Sequence, residues 1–64
     1  MDQEKADRFK RLAYKRKEEI IEKLRILGNC SNKGSYEYTD EEIEGIFNEI
    51  LEQFYKVKIK FKGE

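Results

Sequence analysis

Thr39–Lys62 reads TDEEIEGIFNEILEQFYKVKIKFK, and the fold depends on how its last third is taken. Val57, Ile59 and Phe61 alternate with lysines, which is the two-residue period of a strand. The same residues also extend a helical series. Ile43, Phe47, Ile50, Phe54, Val57 and Phe61 are spaced four, three, four, three and four, the seam of a heptad pattern. A strand needs a pairing partner, the only other non-helical stretch is the loop between the helices, and isolated strand pairs are marginal. The periodicity therefore predicts a helix from about residue 40 to 61. Lysines at its end suit the negative pole of the helix dipole.

The start of this helix is marked by side-chain chemistry. Thr39 is a good N-cap and Glu42 stands three residues later, a capping-box pair. Tyr38 before the cap and Ile43 inside the helix form a candidate hydrophobic staple. Asp40, Glu41 and Glu42 place negative charge at the positive pole of the dipole.

Upstream, Ala6, Phe9, Leu12, Ala13, Ile20, Leu24 and Leu27 recur at helical steps, so a first helix is predicted over about 3–27. The stripe is thin around Arg16 and Lys17. Glu4–Arg8, Asp7–Arg11 and Glu19–Lys23 are acid-before-base pairs four apart, each a small support to a helix. Gly28, or Asn29 after it, is a candidate for the left-handed residue that ends a helix. Residues 28–39 remain as a loop of about twelve residues, longer than the usual two to eight between packed helices. Asn and Ser in it bond their own backbone in turns. Asn29, Cys30, Asn32 and Tyr36 are expected to form an ordered cap, with Cys30 and Tyr36 turned inward.

The expected fold is all-α, a two-helix antiparallel hairpin forming one domain over residues 1–64. A core of this size rarely supplies more than about 3–5 kcal/mol. The usual staples are missing, since 64 residues contain one cysteine and no histidine. No intramolecular disulfide and no Cys/His zinc site can form. Dimerisation into a four-helix bundle is the remaining remedy. Two amphipathic helices also carry more apolar side chains than one seam needs. Phe9, Leu12, Ile46, Leu51, Val57, Ile59 and Phe61 are the expected protein interface, facing a second copy or another protein.

Charged residues make up 44% of the chain, yet the net charge is zero, because the charges come in blocks. Lys5 to Lys17 holds seven bases and one acid, Glu37 to Glu52 seven acids and no base, and Lys56 to Lys62 four bases and no acid. Such blocks usually neutralise one another when a chain folds back. They also allow a nucleic-acid reading. Arg8, Arg11 and Lys15 share a helical face, Tyr14 offers an aromatic ring, and a hairpin brings Lys56, Lys58 and Lys60 to the same end. Zero net charge and the lack of a recognised DNA-binding motif weigh against it.

Enzyme chemistry finds little to stand on. Cys30 has Lys33 nearby but no general base. Glu37, Asp40, Glu41 and Glu44 lack the alternating ligand spacing of a calcium loop. SNKG, at Ser31–Gly34, precedes a helix that begins with three acids, which repel phosphate. No catalytic residue, metal or cofactor is expected. No apolar run approaches the roughly eighteen residues of a membrane span. MDQEKADRFK has no apolar signal core, and a lone thiol fits a reducing cytoplasm.

LGNCSN at Leu27–Asn32, followed by YEYTDEEIEGIF at Tyr36–Phe47 and preceded by RKEEIIEKLRI, resembles a family of small helical proteins. These are encoded on plasmids and integrative mobile elements of Gram-positive bacteria. The resemblance covers about Arg8–Phe54. Gly45 departs from it, standing where a better helix former is usual. The resemblance implies a helical bacterial accessory protein, without an established activity and without functional residues to carry over. The expected function is a non-enzymatic protein–protein interaction module that self-associates and binds an unidentified protein partner. A DNA- or RNA-binding accessory factor is the alternative.

Overall fold

The computed structural model describes residues 3–63; residues 1, 2 and 64 of the expected domain lie outside the described residues. Two long helices, α1 (Gln3–Gly28) and α2 (Asp40–Lys62), are joined through a single 3-10 turn at Asn29–Ser31. No strand occurs among the described residues. The ambiguous tail is helical, and α2 runs without a break through Val57, Ile59 and Phe61.

The start of α2 follows its sequence signals. Thr39 has extended backbone angles and its hydroxyl accepts from the Glu42 amide at 3.1 Å. The Glu42 carboxylate in turn accepts from the Thr39 amide at 2.8 Å. Two amides that an isolated helix end leaves without partners are satisfied reciprocally. Thr39→Ala is expected to cost about 1 kcal/mol, read as a lower urea midpoint with an unchanged slope. At the far end the Gly63 amide donates to the Ile59 carbonyl at 2.9 Å.

The end of α1 differs from expectation. Gly28 stays right-handed (φ −60°, ψ −25°), and none of the described residues has a positive φ. The helix tightens into the 3-10 turn instead, a common way to satisfy terminal carbonyls. The chain leaves at Asn32, whose ψ is 103°. The true connector is thus Asn32–Thr39, eight residues, within the ordinary range for packed helices.

Asn32 organises that connector. Its side-chain oxygen accepts from the Gly34 amide at 2.9 Å, and its carbonyl from the Ser35 and Tyr36 amides at 3.1 and 2.9 Å. A Cβ on Gly34 would sit 3.2 Å from the Asn32 oxygen, so the turn is tight there. The half-buried Tyr38 donates its hydroxyl proton to the Ser31 carbonyl at 2.8 Å. This ties the start of α2 to the end of α1.

The helices lie antiparallel but do not seal. At the far end from the loop, the rings of Phe9 and Phe61 meet edge to face with centroids 6.3 Å apart. Yet no Cα of α1 comes within 8 Å of a Cα of α2 among the described residues. With a Cα radius of about 2.3 Å per helix, the axes stand about 12 Å apart or more. Packed helices sit at roughly 8–10 Å. The Cα atoms span 53 × 23 × 6 Å, a slab one helix thick. Its radius of gyration is 16.5 Å, against about 11 Å for a compact domain of this length. None of the described residues is buried.

Candidate interaction surface

The apolar stripes of the two helices line one trough. Ile20 and Leu24 form one wall, and Ile46, Ile50, Phe54, Val57 and Phe61 the other, around about 810 Å³. On α2 the lining residues step four, four, three and four, so they share one helical face. The polar groups along it are rim residues. Glu49, Gln53 and Lys58 edge α2, with the Lys58 ammonium 5.7 Å from the Phe54 ring centre. Arg16, Glu19 and Lys23 edge α1 in the adjoining stretch. No set of polar groups converges on the trough, as a small-molecule site would need. The chemistry it offers is the covering of aliphatic and aromatic surface.

Of the residues expected at an interface, Ile46, Val57 and Phe61 line the trough, and Phe9 reaches it by touching Phe61. Leu12 is half-buried on α1. Leu51 and Ile59 lie away from the trough. Ile59 is 62% exposed, about 180° round the helix from Ile50 at roughly 100° per residue. The sequence pattern places Ile20 and Leu24 on the stripe of the first helix and Ile50 and Phe54 on the heptad series of the second, and none of them among the expected interface residues. The structure leaves three of them open, with Ile20 at 61% and Phe54 at 53% exposure, and Ile50 half-covered. The helical period marks those positions. It does not encode how far apart the helix axes stand.

The loop cap is corrected in part. Asn32 holds the turn as described, and Asn29 is exposed in the 3-10 segment. Cys30 and Tyr36 are not turned inward: both are exposed, Tyr36 by 52%. The tyrosine that packs is Tyr38, half-buried with its hydroxyl on the Ser31 carbonyl, and Ile43, its candidate staple partner, is also half-buried. The Lys33 ammonium lies 5.4 Å from the Tyr38 ring centre.

Charge separates along the slab. The contact of Phe9 with Phe61 puts the first half of α1 and the last half of α2 at one end. Residues 3–17 and 53–63 together hold eleven bases and two acids, whereas residues 18–52 hold ten acids and three bases. Arg8, Arg11, Lys15, Lys56, Lys58 and Lys60 all belong to the basic end. On α1, Arg8, Arg11 and Lys15 fall roughly opposite the trough-lining Ile20 in helical angle. Lys17–Glu18 and Glu22–Arg25 on α1 are local, solvent-exposed ion pairs, and such pairs contribute little to stability.

Among the described residues no three acidic or cysteine side chains gather as a metal group, and no helix is long and apolar enough to cross a membrane. The chain is an all-α hairpin with an open apolar face. No protein-family model, curated protein or solved structure matches it.

Proposed function

We propose that the chain is a non-enzymatic protein–protein interaction module that self-associates through its trough into a four-helix bundle. The supporting observation is the coexistence of an 810 Å³ apolar trough with a chain in which no described residue is buried. The accessible surface is 6407 Å², against about 4,400 Å² for a compact monomer of 7.8 kDa. The excess, about 2,000 Å² per chain, matches the 2,000–5,000 Å² in total that obligate homodimers bury. In such a bundle Leu51 and Ile59 stay on the outside and offer apolar contacts to a further protein. An accessory or regulatory role in the bacterial cytoplasm, of mobile-element origin, accords with the sequence resemblance. Equilibrium sedimentation at micromolar concentration tests the reading. A species of twice the 7.8 kDa chain mass supports it, and a stably folded monomer overturns it.

A second reading, a DNA- or RNA-binding accessory factor, is favoured by one observation. Eleven bases meet at one end of the slab, and Arg8, Arg11 and Lys15 face away from the trough. Self-association leaves them free to contact phosphates. If all six named bases contact phosphates, affinity for mixed-sequence duplex is expected to fall about a thousandfold between 50 and 200 mM salt. Titration with duplex and single-stranded DNA at both salts checks this. No binding at the lower salt removes the reading.

A further inference from the structure

The distribution of charge along the slab says how two copies meet, given the self-association proposed above. The basic end and the acidic end divide near residues 17 and 18 on α1 and residues 52 and 53 on α2. The slab is 53 Å long, and seventeen residues at about 1.5 Å each put Ile20 about 26 Å from Gln3. Charge therefore changes sign within about a turn of the geometric midpoint. Ile20 and Ile50, which face each other across the trough, lie at that level.

We propose that the partner in the trough is a second copy of this chain, laid face to face and antiparallel, about a two-fold axis crossing the slab at Ile20 and Ile50. This arrangement is self-complementary, as a two-fold interface must be. The basic end of each copy covers the acidic end of the other. A parallel face-to-face pair stacks eleven bases on eleven bases and ten acids on ten acids. Layers of packed helices stand about 10 Å apart, close to the Debye length of about 8 Å at physiological ionic strength. Screening weakens that difference without abolishing it, so charge selects the antiparallel orientation.

The apolar surface fits the same operation. The basic half of the trough is lined chiefly from α2, by Phe54, Val57 and Phe61. The acidic half is lined by the smaller Leu24 and Ile46. Reversal sets the large aromatic side chains of one copy over the aliphatic ones of the other. It also covers the stretch of α1 near Arg16, where the stripe is thin. The zero net charge of a chain with fourteen bases and fourteen acids then follows from a surface complementary to itself.

Cys30 makes the orientation measurable. It is the only cysteine and is exposed near the loop end, ten residues beyond Ile20. Nitroxide labels on Cys30 in the antiparallel pair are expected about 30 Å apart or more. A second sample mixes chains labelled at Cys30 with a Cys30→Ser, Lys60→Cys variant labelled at the new position. Lys60 of one copy lies level with Cys30 of the other, so those labels are expected within about 20 Å, two layer spacings of packed helices. Both distances are read by pulsed electron resonance on samples shown to be dimeric by sedimentation. A dimer whose Cys30 labels lie that close to each other, and which forms a Cys30–Cys30 disulfide on mild oxidation, overturns the orientation and leaves self-association standing. A folded monomer overturns both.

Discussion

The double variant Ile50→Asp, Phe54→Asp is expected to lose self-association by about ten-thousandfold or more in dissociation constant. Both side chains line the centre of the trough. Phe54 is 53% exposed in the single chain, and in the proposed dimer the second copy covers that surface. Fully burying an aliphatic or aromatic side chain of this size stabilises by about 1.5–3 kcal/mol. A dimer loses four such groups, but each is already partly covered within one chain, Ile50 more than Phe54, so the lost burial is about 3 kcal/mol at the low end. Aspartate adds at least about 1 kcal/mol at each of the four positions for a charge in an apolar contact without a partner. Each 1.4 kcal/mol is tenfold in affinity, which brings the total to about ten-thousandfold or more. Ile59→Asp is the control. It adds one such charge to the same helix on the opposite face, and is expected to leave the mass in solution unchanged. Equal loss in both variants would mean that the trough is not the contact.

The second large effect is on melting of the unaltered protein. Neither helix is covered by the other, and most helical stability in proteins comes from packing of an apolar face rather than from propensity, packing that α1 and α2, of 26 and 23 residues, do not make within one chain. The capping box, the Asn32 turn and the Tyr38–Ser31 bond organise one end, but they supply no core. On the proposed self-association, cooperative stability comes from the second copy, and the folded state follows mass action. Unfolding a dimer of this size carries an entropy of roughly 0.27 kcal/mol per kelvin, from about 2.1 cal/mol/K per residue. A tenfold dilution removes about 1.4 kcal/mol, so the midpoint should fall by about 5 °C. From about 100 to 1 μM the shift should be about 10 °C, followed by far-ultraviolet circular dichroism. A midpoint that does not move with concentration would mean that one hairpin is stable alone.

The sequence carries much of this fold in local chemistry. Thr39, Glu42, Tyr38 and Ile43 mark the start of α2 because capping and stapling involve residues within five positions of each other. The tail is decidable because a heptad spacing continues through Phe61, whereas the alternation of Val57, Ile59 and Phe61 has no second strand to pair with. The end of α1 is less legible. Glycine permits a left-handed stop, but a 3-10 turn ended by the Asn32 hydrogen bonds competes with it, and glycine alone does not choose between them. The site is legible in its residue types. Ile46, Val57 and Phe61 stand out as surplus apolar surface, while Ile20, Leu24, Ile50 and Phe54 show only as members of the helical stripes and not as open surface. Periodicity gives the face of a helix and says nothing about the gap to the next one, which depends on the connector and on long side chains such as Phe9 and Phe61. Cys30 and Tyr36 are expected inside because they are the less polar members of the loop. In a slab one helix thick there is no interior at that end for them to enter.

The central claim is that this hairpin is half of a bundle, and small-angle X-ray scattering over a concentration series tests it most directly. Stacking two slabs displaces each by only about 5 Å from the common centre, at the usual spacing of packed helices. The mass from forward scattering should be twice 7.8 kDa, while the radius of gyration rises only slightly above the 16.5 Å of one chain, to about 17 Å. A folded particle of 7.8 kDa with an unchanged radius at every concentration would contradict the account.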